Sequence, residues 1–272
     1  MPRKLPVALL FLPLAACTGK SADSASHDSR ARGDDSGGHG ADTSDTSHTA
    51  RGPARMAIPG YFYPDVGQPD SLWDRAIALG GVFVFNPDSG PGGAQNGDYV
   101  TATHAAMGHV TLLAYVSTGY GTRDADAVLA DMANYAAWYP LSGFFFDEAP
   151  GTDTCDAEYG AYAGYAAAAR DAVPGAFVAL NPGTDTCVSY LDFADLLLTF
   201  ESDAPDYAGH TSAMPPDPDH TWHLVYGTGD WAGVLDHAAE LDAGYVYVTD
   251  DVLPNPWDTL PTWLEDEAAY VP

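Results

Sequence analysis

From residue 58 onward the chain repeats one pattern: a short apolar run ending in polar or Gly/Pro residues, then an amphipathic or alanine-rich stretch of helical length. Eight such runs occur, at 58–63, 81–86, 110–117, 143–147, 176–181, 196–201, 221–226 and 244–249. Helices are expected between them at 72–79, 99–107, 125–139, 158–172, 231–241 and 260–270, with the fifth and sixth connections poorer in helical character. Eight strands joined by helical crossovers within about 215 residues fit a single-domain α/β fold, a closed (β/α)8 TIM barrel. An open doubly wound sheet is the alternative. Its first strand would lead into a glycine-rich phosphate loop, and that position here holds Tyr61-Phe62-Tyr63-Pro64.

The N-terminal segment is of another kind. Arg3 and Lys4 precede an apolar run over 5–16 that is too short to span a bilayer and has the shape of an export signal, so 1–16 is expected to be a signal peptide. The run closes in Leu14-Ala15-Ala16-Cys17, which resembles a bacterial lipobox. The expectation is lipidation of Cys17 and export to the cell envelope or surface, with the membrane engaged by the lipid anchor alone. An ordinary secretory signal with an incidental cysteine is the alternative. Residues 17–56 then form a Ser/Asp/Gly linker in which nothing offsets the entropy of ordering, so it reads as a disordered tether to a barrel domain at 57–272. His27, His39 and His48 are irregularly spaced within it and read as part of a solvated spacer.

Charge divides the chain at the same boundary. Six of the 38 acidic residues precede Ala57, which leaves 32 in the domain against Arg75, Arg123 and Arg170, with no lysine. Nucleic acid is thereby excluded as a partner, because binding it needs a basic surface to neutralise phosphates. Adaptation to salty surroundings and attraction of a cationic substrate both account for such a surface.

In barrel enzymes the active site is built where the strands end at the C-terminal face. The strand ends read Tyr61 and Tyr63, Asn86, Tyr115 with Ser117, Asp147 with Glu148, Asn181, Glu201, Tyr226, and Thr249 with Asp250. The most informative is Gly143-Phe144-Phe145-Phe146-Asp147-Glu148, in which a buried aromatic strand breaks into two adjacent carboxylates. Like charges so placed repel, and persist where solvent, substrate or function offsets the repulsion. Aromatics, amides and carboxylates at one mouth suit a sugar: rings stack on its C–H faces, polar groups bind hydroxyls, and paired acids hydrolyse. No cofactor is implied, since neither a phosphate cradle nor a dinucleotide fingerprint occurs. No metal is expected, since His220 and His223 lie three apart on a strand and face opposite ways. No Gly-x-Ser-x-Gly elbow supports a serine nucleophile. Pro150-Gly151-Thr152-Asp153-Thr154-Cys155 recurs 32 residues later, ending in Cys187, and each copy follows a strand end. Consecutive loops on one face, in an exported protein, predict a Cys155–Cys187 disulfide.

Taken together, Tyr61-Phe62-Tyr63-Pro64, Asn86-Pro87-Asp88-Ser89-Gly90-Pro91-Gly92, Ala114-Tyr115-Val116-Ser117-Thr118, Gly143 to Glu148, Asn181-Pro182-Gly183-Thr184 and Phe200-Glu201 resemble the spherulin 4 proteins, related to glycoside hydrolase family 135. The resemblance implies a barrel glycosidase, endo-acting on α-linked exopolysaccharide containing galactosamine and N-acetylgalactosamine, with functional carboxylates at Asp147, Glu148 and Glu201. Strand alternation adds that Asp147 shares an inward face with Phe145, and Glu201 one with Thr199 and Leu197. Asp147 is then expected as nucleophile and Glu201 as general acid/base of a retaining enzyme, with Glu148 binding substrate or tuning the pair. Tyr61, Tyr63, Asn86, Tyr115, Asn181, Tyr226 and Asp250 are expected to bind sugar. A non-catalytic carbohydrate-binding or coat lipoprotein is the alternative.

Overall fold

A computed structural model describes residues 54–272. Cys17, the leader and the tether histidines lie outside the described residues. Strands β1 (Arg55–Gly60), β2 (Val82–Phe85), β3 (Thr111–Ser117), β4 (Gly143–Asp147), β5 (Phe177–Leu180), β6 (Leu196–Asp203), β7 (Thr221–Tyr226) and β8 (Tyr245–Val248) pair in sequence order, all parallel, into a closed eight-stranded barrel. Helices α1 (Leu72–Leu79), α2 (Gly97–Ala106), α3 (Ala125–Trp138), α4 (Cys155–Ala172), α5 (Ala204–Tyr207), α6 (Trp231–Glu240) and α7 (Leu264–Ala269) surround it. The weak fifth crossover contains only a 3-10 turn, Val188–Asp192, and the sixth only the four-residue α5.

The aromatic run of β4 splits between two layers, as strand alternation requires. Phe145 faces the interior, with its ring centroid 6.2 Å from Tyr115 on β3 and 5.5 Å from Trp222 on β7. Phe144 and Phe146 stack on the outer side, where Phe146 meets Tyr165 of α4 at 5.8 Å. Burying three rings on a strand that starts at Gly143 requires close approach of β5. A Cβ at Gly143 would lie 1.9 Å from the Phe177 carbonyl oxygen, so only glycine fits there. Outside β2, Phe83 packs on Trp73 of α1, and Phe85 packs on Tyr99 and Tyr135 of α2 and α3.

A few of the acidic residues are structural in a specific way. Asp124, Asp203 and Asp230 cap α3, α5 and α6 by accepting backbone N–H bonds, while Ser71 and Asn96 do the same for α1 and α2. A side-chain oxygen there satisfies an otherwise unpaired donor, and a carboxylate also complements the positive end of the helix dipole.

Two expectations are corrected. The first strand begins at Arg55 and ends at Gly60, not over 58–63, so the domain begins before residue 57. The Arg55 N–H donates to the Gly244 carbonyl at 2.9 Å, its guanidinium lies 4.1 Å from the centre of the Tyr245 ring and it pairs with Asp219, which closes β1 against β8. Tyr61 has already left the strand, its N–H donating to the carbonyl of Trp257.

The second correction concerns β6. Its register against β7 runs Leu198↔Trp222 and then Phe200↔His223, so Thr199 is an inserted residue, a β-bulge. Thr199 and Phe200 both turn outward, Thr199 bonding His223 Nε2 at 3.2 Å and Phe200 packing 4.7 Å from Tyr207. Glu201 therefore does not share a face with Thr199 and Leu197. The bulge, and not simple alternation, turns it into the barrel.

Candidate active site

Three successive strands deliver the centre of the site. Asp147 ends β4, Asn181 directly follows β5, and Glu201 lies beyond the bulge of β6. The Asn181 amide donates both its protons, one to Asp147 Oδ1 at 2.7 Å and one to Glu201 Oε2 at 2.6 Å. Its own Oδ1 is buried and has no partner among the described residues, so the two carboxylates alone set the orientation of the amide. Rotating it would press a carbonyl against both. Both bonds leave the same amide nitrogen, so the nearest oxygens of the two carboxylates are at most about 5 Å apart, short of the roughly 6.5–9.5 Å that inverting glycosidases leave for a water.

The electrostatics follow from this enclosure. Burial pushes the Asp147 carboxyl up to about 6, with the Glu148 charge adding to the rise and hydrogen bonds from Tyr115 and Asn181 opposing it. Burial pushes Glu201 up to about 7, the Asp147 charge raises it further, and the Asn181 and Trp257 donors pull it down. Near neutral pH such a pair retains about one proton between its two members, because ionising both places two negative charges close together in a part-buried site.

Glu148 is held separately. It follows β4 with φ 56°, and its Oε2 accepts from Ser117 Oγ at 2.6 Å and from the Gly119 N–H at 3.1 Å. The left-handed backbone turns it away from the alternation of β4 and settles how two adjacent acids fit one mouth.

The remaining expected contacts divide. Tyr61 and Tyr115 meet edge to face at 5.6 Å beside Asp147, whose charge adds to the effect of burial in raising both hydroxyl pKa values. Tyr226 lies against Trp257 at the mouth, with Asp203 and Glu201 in its field. Tyr63 is exposed and bonds Asp98 and Asn96 at the start of α2. Asn86 is occupied by its own loop, its Oδ1 accepting from the Gly90 N–H at 2.9 Å. Asp250 is exposed after β8, where its charge bears on Tyr247. Cys155 and Cys187 are joined in a disulfide, and Thr186 Oγ1 donates to the Pro150 carbonyl, tying the two repeated loops beside the site. Among the described residues, no group of three or more His, Cys, Asp or Glu side chains is arranged to hold a metal ion.

The sequence model of the spherulation-specific family 4 matches residues 55–271, which is the entire barrel from its first strand. The chain belongs to this family. It is similar to Spherulin-4 of Physarum polycephalum, with 28% identity over 242 residues, covering 82% of this chain and 71% of that protein. In fold it is similar to Sph3 of Aspergillus clavatus, solved in complex with GalNAc, with a TM-score of 0.68 and 22% identity over 80% of this chain and 98% of the other. A more distant likeness is to the PgaB glycoside hydrolase domain of Bordetella bronchiseptica, with a TM-score of 0.47 and 13% identity, covering 72% and 94%.

Two residues of this family 4 barrel escaped the sequence reading. Trp257, in the loop between β8 and α7, donates its indole N–H to Glu201 Oε1 at 3.1 Å, and it packs against Tyr226 and Tyr247. Its signal was available as a tryptophan in a Pro-Asn-Pro-Trp loop next to a barrel mouth, but no periodicity marks it. Tyr120 follows β3 and donates its backbone N–H to the Glu148 carbonyl.

Proposed function

We propose that the chain is a glycoside hydrolase that cuts within an α-linked exopolysaccharide containing galactosamine and N-acetylgalactosamine, with retention at the anomeric carbon. The observation that carries this reading is the Asn181 amide joining Asp147 and Glu201. A lectin has no need of two part-buried acids held at one point, whereas double displacement requires them at this short spacing. The GalNAc complex of the similarly folded Sph3 supports an amino sugar as the bound unit.

Both carboxyls are raised, so one proton is held within the pair; Glu201 receives the role of the protonated acid and Asp147 that of the ionised nucleophile. Glu201 gives its proton to the glycosidic oxygen as Asp147 Oδ attacks C1. The C1–O bond breaks, the leaving sugar departs as an alcohol, and a glycosyl ester forms on Asp147. The Glu201 carboxylate then takes a proton from water, whose oxygen attacks C1 and expels Asp147. Glu148, fixed by Ser117 and Gly119, receives the role of orienting substrate hydroxyls. All four described arginines are paired with carboxylates, Arg55 with Asp219, Arg75 with Glu265, Arg123 with Asp131 and Arg170 with Asp195. This favours a polymer with free amines over an anionic one. The lipid anchor at Cys17 and a location at the cell surface remain part of the same proposal.

The test is release of reducing ends from partially deacetylated α-1,4-galactosamine polymer. Asp147→Asn and Glu201→Gln should each lower turnover by at least about a thousand-fold while the polymer still binds, because the amide keeps the shape but can neither attack nor transfer a proton. Binding without cleavage by the wild-type protein would make it a carbohydrate-binding barrel instead.

A further inference from the structure

The loop after β3 holds a tyrosine in a costly way. Gly119, Tyr120 and Gly121 all have positive φ, at 58°, 55° and 80°. Glycine adopts this conformation freely, but a tyrosine does not, and non-glycine residues persist there only where the surroundings hold them. Here they do. Thr122 N–H and Oγ1 both donate to the Gly119 carbonyl, the Arg123 N–H donates to Thr118 and its guanidinium to the Ser117 carbonyl at 2.8 Å, and Arg123 is itself anchored by Asp131. The Tyr120 N–H donates to the Glu148 carbonyl at 2.6 Å.

This rigid loop leaves Tyr120 60% exposed, the most exposed of the barrel's large hydrophobic side chains. Its ring is thus neither core nor part of a mobile tip. Partial burial, and then the charges of Asp147, Glu148 and Glu201, raise the pKa of its hydroxyl, which places that group in the field of all three acids.

We infer that Tyr120 is the stacking platform of a sugar subsite beside the carboxylates, receiving the C–H face of a pyranose in the bound hexosamine polymer. The inference rests on the glycosidase reading and adds to it the residue that positions one sugar unit. A tyrosine loses little conformational freedom on binding, and a loop already locked adds no ordering cost, so its apolar face contributes directly to affinity. The neighbouring acids are then left to engage hydroxyls or an amine at the ring edge.

The test uses the full chain carrying Asp147→Asn, so that an α-1,4-linked galactosamine tetramer binds without being cut. Calorimetric titration should show affinity weakened about ten-fold or more by Tyr120→Ala and little changed by Tyr120→Phe, because stacking needs the ring and not the hydroxyl. Tyr120→Gly, which relieves the positive φ, should weaken binding as the alanine variant does, and this separates loss of the ring from damage to the loop. In the active chain Tyr120→Ala should raise KM far more than it lowers kcat. Unchanged affinity in Tyr120→Ala, or equal loss in Tyr120→Phe, overturns the stacking role and leaves the glycosidase reading standing. Failure of the Asp147→Asn parent to bind the tetramer, together with no cleavage by the wild type, overturns both.

Discussion

Asn181 is the residue on which the chemistry turns, because one neutral amide satisfies two acids that would otherwise repel each other in a part-buried site. Trp257 completes the arrangement from the far side of the barrel mouth. Its indole N–H can only donate, so it favours the ionised form of Glu201 and opposes the rise in pKa that burial causes. Trp257→Phe keeps most of the ring and removes that donor. Loss of a hydrogen bond to a charged group is worth roughly 1.5–3 kcal/mol, so kcat/KM should fall by about ten-fold or more. The alkaline limb of the pH profile, set by the proton on Glu201, should move to higher pH, and carbon NMR of the Glu201 carboxyl should move with it. A limb that stays in place or moves down would show that Trp257 serves packing only. Both carboxylates were legible in the sequence as polar breaks after apolar runs. Trp257 was not, because its partner is 56 residues away and belongs to another loop. The structure ties the Asn86 Oδ1 to the Gly90 N–H of its own loop, a turn-stabilising bond that an amide at a strand end makes readily and that no periodicity announces.

Among the elements, β4 and β7 run as their sequences predict, because a uniform apolar run with a sharp polar end leaves little freedom in where a strand stops. The bulge in β6 was invisible: Leu196 to Phe200 reads as one apolar stretch, and only pairing with β7 reveals that Thr199 is the extra residue. The direction of Glu201 was therefore expected correctly through an alternation that does not hold. Helix α7 carries another feature with no sequence signal. Glu267 is buried at 1% exposure, and its Oε1 accepts the Val248 N–H at the end of β8. Burial pushes its carboxyl up to about 8, with that hydrogen bond opposing the rise. A folded-state pKa above the unfolded value means the native protein binds the proton more tightly. The resulting stability is complete below the ordinary glutamate range and is lost as pH rises through about 8. Thermal melts should thus fall between about pH 5 and pH 9, with Asp147 and Glu201 contributing in the same direction over the lower part of that range. Glu267→Gln should flatten the slope and raise Tm by several degrees at pH 9, since each kcal/mol is worth about 2–4 °C in a domain of this size. An unchanged slope would mean that Glu267 is ionised in the fold.

The whole barrel combines an acidic exterior with an aromatic mouth, and its described arginines are already paired. Its field should draw an amine-bearing polymer. Raising ionic strength from 0.01 M to 1 M shortens the screening length from about 30 Å to about 3 Å. Over that range kcat/KM should drop steeply for partially deacetylated galactosamine polymer and change little for the fully acetylated one. Equal salt dependence for the two would assign the acidity to solubility alone. The fold was readable because eight apolar runs recur along the sequence, most of them followed by a helix, and each ends in polar or Gly/Pro residues. What the repeat could not convey is how three successive strands converge on a single amide. That convergence makes the stereochemical outcome the most direct measurement. Proton NMR of the first reducing end released from an α-linked galactosamine oligomer should show the α-anomer, appearing before mutarotation, if the Asn181-bridged Asp147 and Glu201 act by double displacement. Initial appearance of the β-anomer would mean that water attacks directly, and would contradict the assignment of Asp147 as nucleophile.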